Sequence, residues 1–438
     1  MENQRRNPPM DHVRHEGCSI SRRNFVSTSM AVAGGGLLVP TVLGTGMASP
    51  RKETLNVGLV GCGGRGTGAA VNALQASENA RLVAMGDVFR DRLESSRSQL
   101  ANYNERAVVE DSACFVGFDA IDGVLGTDID IVILATPPGF RPDHFRRAID
   151  SGRHVFMEKP VAVDPAGVRT VMEAGRKADQ QNLKVVSGTQ RRHEQCYLDA
   201  MDKVRAGAIG TPVAGRCYWN MGSLWKKDPQ PEWTDMETQL RNWLYYTWLS
   251  GDHIVEQHIH NIDVINWAMG GHPSRCVGVG GRQARTEPVY GHIFDHFGID
   301  YEYPDGQFML SMCRQQEGCP GRVEELVHGT EGVLRTSSGR AQILGSNPWK
   351  FSGKNPNPYV QEHRDLHAAI EQGTQLNESQ RVAESTMTAI MGRMACYTGQ
   401  ELTWDQALNA DVDLVPQTLE FGPLETPAVA VPGRTTLG

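Results

Sequence analysis

The chain has no surplus of positive charge: of 438 residues, 43 are Lys or Arg against 51 Asp or Glu, a formal net charge of −8. Proteins that bind nucleic acid displace counterions with a basic surface, so nucleic acid is excluded as the main partner. No stretch of about 18 apolar residues runs without Gly, Pro or a polar interruption, so no transmembrane helix is expected. The nine cysteines lack the CxxC or Cys/His spacing of a structural zinc site, and a chain this long needs no disulfide framework. Internal repeats and low-complexity tracts are also missing. What remains, with 39% hydrophobic and 21% charged residues, is an ordinary globular composition with room for two or three domains. Composition excludes several classes and points to no chemistry.

The first fifty residues carry an address. Ser21-Arg22-Arg23-Asn24-Phe25-Val26 precedes a weakly apolar segment from Ser27 to about Gly46, and Gly46-Met47-Ala48 offers small residues to a signal peptidase. Twin arginine ahead of such a segment is the bacterial signal for exporting folded proteins. Residues 1–48 are therefore expected to be a twin-arginine signal read by the twin-arginine export machinery. The mature protein is then periplasmic or otherwise exported, without membrane insertion. A core that forms before export meets reducing conditions, so most thiols should be free and buried.

From Leu55 the sequence reads as an apolar strand, a glycine turn and a small-residue helix. Gly61, Gly63 and Gly66 form GxGxxG at that junction, where a helix N-terminus can face a pyrophosphate; Gly64 and Arg65 share the turn. A second apolar strand, 81–87, ends on Asp87, 21 residues past Gly66, where a carboxylate can accept from the adenosine ribose. That acid favours NAD over NADP, although Arg90 and Arg92 lie close. A third strand, 129–135, ends in Thr136-Pro137, and a helix with His144 follows. The run 154–157 enters Glu158-Lys159-Pro160. Ligands of open parallel sheets sit beyond the strands' carboxyl ends, so Thr136 and Lys159 fall where a nicotinamide could lie. Residues 53–187 are expected to be a Rossmann dinucleotide-binding domain, with Gly61, Gly63, Gly64, Arg65, Gly66, Asp87, Thr136, Pro137, His144, Glu158 and Lys159 as cofactor candidates.

Residues 188–413 read as an α+β domain on a mostly antiparallel sheet, signalled by the alternation of 299–303, the Pro304-Asp305-Gly306 turn and strands near 323–327 and 333–336. Helices are expected at about 364–371 and 379–398, with an extended arm at 414–438. Glu256, His260, Asp263 and Trp267 recur at helical spacing, which predicts one shared helix face with His258 pointing elsewhere.

Gly61-x-Gly63-x-x-Gly66, Thr136-Pro137, Glu158-Lys159-Pro160 and Glu256-x-x-x-His260-x-x-Asp263 together resemble the Gfo/Idh/MocA family of oxidoreductases, over nearly all of the chain past the signal. The resemblance implies a Rossmann domain followed by an α/β domain with a large sheet. It also implies a sugar, inositol or polyol substrate and a homo-oligomer, dimer or tetramer, paired through the open sheet face. Hydride transfer at a secondary alcohol needs a group to take the hydroxyl proton and a charged donor at the oxygen. His260 is the candidate for the first and Lys159 for the second, with Glu256 beside them. Arg191, His193, Trp219, Trp225 and Asp263 are substrate candidates. Many members carry Asp where this chain has Glu256.

Three rivals stand beside this reading. One is an NAD-dependent glycoside hydrolase that oxidises its sugar transiently and eliminates the glycosidic group without net redox. Another is a catalytic metal among His253, Glu256, His258, His260 and Asp263, which helical spacing splits between faces; no metal is expected. The third is an inactive cofactor-binding sensor. Mass spectrometry of exported protein is expected to place its N-terminus near residue 49, and a mature chain beginning near Met1 would contradict the signal.

Overall fold

The computed structural model of the protein describes residues 54–437, and the expected signal at 1–48 lies outside the described residues. The first sheet consists of β1 (Leu55–Val60), β2 (Ala80–Asp87), β3 (Cys114–Val116), β4 (Ile131–Leu134), β5 (His154–Met157) and β6 (Val185–Ser187). These strands are all parallel, in the order β3-β2-β1-β4-β5-β6. Strands covered on both faces must be apolar on both, and β4, Ile-Val-Ile-Leu, is buried at every position. Because the order reverses between β1 and β4, a crevice opens past their carboxyl ends.

The second sheet has nine strands, β7 (Pro212–Met221), β8 (Arg275–Gly281), β9 (His296–Glu302), β10 (Phe308–Gln315), β11 (Arg322–Gly329), β12 (Gly332–Ser337), β13 (Arg340–Gly345), β14 (Trp349–Lys350) and β15 (Leu402–Thr403). All its neighbours are antiparallel except β7 and β10. The chain thus adopts the expected α/β class, a Rossmann sheet followed by a large, mostly antiparallel one. Alternation along β10 buries Met309, Ser311 and Cys313 and exposes Phe308, Leu310 and Met312. Helices Ile259–Met269 and Ser379–Thr398 pack on the inner face. On the outer face Leu310 and Val277 flank Asp300, while Met312 and Val279 flank Gly298, which leaves an exposed apolar row. All eight described cysteines are free and six are buried.

Two differences from the sequence pattern matter for function. The helix Arg90–Tyr103 buries just Leu93, Ser96 and Leu100, a stripe too narrow to show as periodicity. The expected continuous helix through Glu256 and His260 is broken: a short helix His253–Glu256 ends, and a second begins at Ile259. His260 N–H donates to the carbonyl of Gln257 at 3.3 Å, so the Glu256 carbonyl is left without its helical partner.

Three substrate candidates are placed in ion pairs instead of facing open space. Arg191 pairs with Glu325 on β11, whose other oxygen accepts from Tyr197 (3.1 Å) and Thr336 (2.7 Å). Asp263 accepts from Arg192 at 2.7 and 3.0 Å and from Ser385 at 2.8 Å, and burial of the pair is offset by the Arg192 and Arg381 charges, which hold its carboxyl down. His193 sits between Asp365 (2.6 Å) and Glu378 (3.4 Å). Arg191, His193 and Asp263 are all buried, and their charges join distant segments. Removing one partner from such a pair costs roughly 3–5 kcal/mol, because the other charge stays buried.

Burial opposes the charge on His193, yet Glu378 and Asp365 raise its pKa to about 10 from the ordinary 6.5. The stabilisation is complete below about pH 6.5 and is lost as pH rises through about 10. Melting temperature between pH 7 and 10 is therefore expected to fall more steeply for the wild type than for His193→Gln. Parallel curves would contradict the assignment.

Candidate active site

The glycine turn divides its labour by position. Gly61 has φ +96°, a conformation that favours glycine, and its N–H donates to the Gly86 carbonyl at 2.9 Å. A Cβ on Gly66 would stand 1.8 Å from the Gly61 carbonyl oxygen, so this glycine lets the helix Gly64–Ala76 close onto its strand. Gly63 and Gly64 differ, since a Cβ on either meets nothing within 4 Å. Gly63 is the N-cap, with no side-chain cap and no acid in the first turn. Free N–H groups with positive potential thus face open space, a cradle that fits a pyrophosphate.

At the end of β2, Asp87 accepts from Cys62 N–H at 2.6 Å and from Phe89 N–H at 2.8 Å. Burial pushes its carboxyl up against the pull of those bonds. A carboxylate has about four acceptor positions, so Asp87 locks the turn and still has capacity for ribose hydroxyls. At the end of β4, the buried Arg141 donates to the carbonyls of Leu134 and Thr136. Thr136 Oγ1 lies 3.3 Å from His144 Nδ1, and burial together with Arg141 lowers the His144 pKa to about 3, leaving it neutral. Pro137 turns the chain into Pro138–Phe140. Arg65 pairs with Glu158 at 2.7 Å, its guanidinium 5.0 Å from the Tyr359 ring.

Gly61, Gly63, Gly64, Arg65, Asp87, Thr136, Pro137 and His144 line a cavity of about 590 Å³, within the range of cofactor sites. Its floor runs from Gly61–Arg65 past Asp87 to Thr136, Pro137 and His144. Trp225, expected near substrate, lines the roof of this cavity together with Lys227, Arg241 and Trp243.

Beyond the cavity's Thr136 end lie the residues suited to proton transfer. Leu134 and Met157 are paired in register on β4 and β5, which places Thr136 and Lys159, each two residues on, at adjoining strand ends. Lys159 precedes a cis peptide to Pro160. Its Nζ donates to the Glu256 carbonyl and, at 3.1 Å, to Glu256 Oε1. Lysine thereby supplies the donor that the broken helix does not, and spends two of its three hydrogens doing so. His260 follows one turn later, buried and stacked on Trp219 with centroids 5.8 Å and planes 23° apart. Arg191 approaches the same indole at 5.8 Å, so Trp219 is packed as a support for the imidazole instead of a free sugar platform. Burial first, then Lys159 and Arg191, holds His260 far below the ordinary imidazole range. His260 is neutral at pH 7 and can accept a proton.

The structure therefore brings Lys159, Glu256 and His260 together beside the cofactor cradle. His258 lies elsewhere, under Ser311 at 2.8 Å. Among the described residues no group of three or more His, Cys, Asp or Glu could hold a metal ion. Sequence reasoning missed Arg141 and the roof. An arginine just after Pro-Pro-Gly-Phe was a usable signal for the first, and nothing local signals the second.

Comparison with known proteins agrees with this geometry. The family model "Oxidoreductase family, NAD-binding Rossmann fold" matches residues 55–187, and "GFO/IDH/MocA C-terminal domain" matches 197–335. The chain is 32% identical to inositol 2-dehydrogenase 4 of Saccharopolyspora erythraea over 166 residues, 38% of this chain and 45% of that one. It is 25% identical to an inositol 2-dehydrogenase of Klebsiella pneumoniae over 49% of this chain and 55% of the relative, so the matches span about half the length of these relatives. In structure it resembles scyllo-inositol dehydrogenase of Lactobacillus casei with NAD(H) and scyllo-inositol, TM-score 0.62, 21% identity, covering 80% and 99% of the two chains. Levoglucosan dehydrogenase with NADH and levoglucosan gives TM-score 0.65 at 15% identity, covering 81% and 100%. These structural likenesses concern the fold.

The two kinds of glycine give a paired expectation. Gly63→Ala should keep the melting temperature within a few degrees and weaken NAD binding about tenfold or more, measured by calorimetry. Gly66→Ala should lower the melting temperature itself, because backbone must move. Equal effects of both substitutions would contradict the division of roles.

Proposed function

The chain belongs to the Gfo/Idh/MocA oxidoreductase family, with a Rossmann domain of the NAD-binding kind, and from that premise we propose that it moves hydride at a secondary alcohol of a sugar, inositol or related polyol. The observation that carries this reading is a buried His260 placed within the field of the Lys159–Glu256 ion pair at the end of β5. When bound, NAD supplies the hydride acceptor. Gly63 and Gly64 would hold its pyrophosphate with backbone N–H groups, Asp87 would accept from the adenosine ribose, and Thr136 and Lys159 would flank the nicotinamide end. The acid at Asp87 favours NAD over NADP.

His260 takes the hydroxyl proton as the substrate carbonyl forms, a role for which its depressed pKa keeps it ready well below pH 6.5. Lys159 directs its remaining N–H at the substrate oxygen and stabilises the developing charge. Glu256 holds the ammonium in place through two acceptors, and Trp219 fixes the plane of the imidazole. The inositol and anhydrosugar dehydrogenases among the similar proteins support a polyhydroxylated substrate. We further propose export through the twin-arginine segment and a homo-oligomer that covers the apolar row of β8 and β10.

The test is a screen of inositols, hexoses, anhydrosugars and glycosides, following nicotinamide absorbance and glycoside cleavage together. The expected result is alcohol-dependent reduction of NAD, with kcat lowered by roughly 10²–10⁴ in His260→Ala and the acid limb of kcat/KM below pH 6.5 in the wild type. Glycoside cleavage with no net change in the nucleotide would replace this reading with the hydrolase.

A further inference from the structure

The cavity that fits the cofactor is not built by the Rossmann strands and helices alone. Its roof consists of Trp225, Lys226, Lys227, Leu240, Arg241 and Trp243, all from the connection between β7 and β8. Across the cavity lie Asp87, Phe89, Arg92 and Phe118, the floor of the adenosine end. A dinucleotide in this groove therefore has protein above and below it at the end remote from the chemistry.

Two further segments hold the roof down. Arg241, in the helix Asp235–Arg241, reaches the Rossmann side, where it bonds Asp91 at 3.2 and 3.3 Å and lies 4.1 Å from the Phe89 ring. Its Nε is fixed by Glu237 at 2.8 Å. The C-terminal segment then straps the roof from outside. Met236 N–H donates to the Gly422 carbonyl (3.1 Å), Gln239 Nε2 to the Leu424 carbonyl (2.9 Å), and Leu424 N–H to Asp235 (3.2 Å). Phe421 of the same strap rests on both floor aromatics, 5.9 Å from Phe89 and 5.2 Å from Phe118. Upstream, Leu414 N–H is anchored to the buried Asp164 at 2.8 Å.

We propose that residues 224–243 and the strap at 414–424 form the second half of the cofactor site and retain the dinucleotide through successive turnovers, the NADH formed by oxidation of one alcohol being returned to NAD in place by a second substrate, a sugar or polyol carbonyl compound that takes up the hydride and a proton. Arg241 and Phe421 are the latch: each touches the floor and the roof or strap at once, so parting of the roof from the floor at the adenosine end requires both contacts to break. Residence times of bound molecules run from milliseconds to days, and enclosure acts on the departure step. Lys226, Lys227, Arg92 and Arg241 line the same cavity, so their positive charge adds long-range attraction for the anionic pyrophosphate of the dinucleotide. The inference rests on NAD binding and not on which alcohol is oxidised.

The experiment uses the full chain purified without added nucleotide. Nucleotide released by denaturation is quantified, and exchange of bound NAD against excess isotope-labelled NAD is timed. The wild type is expected to carry close to one NAD per chain through gel filtration and to exchange it over minutes or longer. Arg241→Ala and Phe421→Ala, checked by circular dichroism and melting temperature, should emerge depleted and exchange at least tenfold faster. A wild type that binds NAD but exchanges it within seconds would overturn the latch whatever the variants do, as would folded variants that hold label as long as the wild type. A chain that neither carries nor binds NAD would overturn the cofactor reading itself.

Discussion

Lys159 is the point at which the Rossmann sheet is fastened to the helix that carries His260. A continuous helix would have used the Glu256 carbonyl for the N–H of residue 260, but the helix breaks and that carbonyl goes to the lysine ammonium. The Glu256 carboxylate takes a second hydrogen of the same ammonium. Both side chains are nearly buried, so neither charge is tolerable without the other. The position of the imidazole relative to the end of β5 follows from this one interaction. With the lysine removed, a carboxylate and a carbonyl would be left facing a dry site.

The same local field explains the division of chemical labour. A buried imidazole beside a fixed ammonium and close to a second cation, Arg191, cannot easily take on charge, so His260 rests neutral. The ammonium is held against the carbonyl and the carboxylate of Glu256. Two groups of opposite readiness, one able to accept a proton and one able to donate, stand beside the strand ends where the nicotinamide end of a dinucleotide would lie. His193 illustrates the contrary case, where flanking carboxylates overcome burial and keep the ring charged. Histidine type alone does not decide role; the sign of the nearest charges does.

How much of this was legible in the sequence depends on whether the signal was local. GxGxxG, Asp87, Thr136 and Lys159 follow one another along βαβ units, and backbone geometry ties each to a strand end, so their order revealed their place. The ion pairs of Arg191, His193 and Asp263 were not legible because their partners are far away in sequence: Glu325 is 134 residues from Arg191, and Asp365 is 172 from His193. Helical spacing told which residues could share a face and could not foresee a break whose freed carbonyl is taken by Lys159, 97 residues earlier. Trp225 and Trp219 were both expected near substrate. Tertiary packing assigned one to the cofactor roof and the other to the back of His260.

The central claim is that one groove orients a dinucleotide so that its reactive end meets Lys159 and His260. A crystal structure of the protein with NADH and a bound polyol tests it most directly. The account predicts the pyrophosphate on the Gly63 and Gly64 N–H groups, the ribose at Asp87 and the adenosine beneath Arg241. It places the nicotinamide between Thr136 and Lys159, with a substrate hydroxyl within hydrogen-bond reach of both His260 and Lys159. A nicotinamide lying at the Asp87 end, or a polyol bound away from His260, would contradict it.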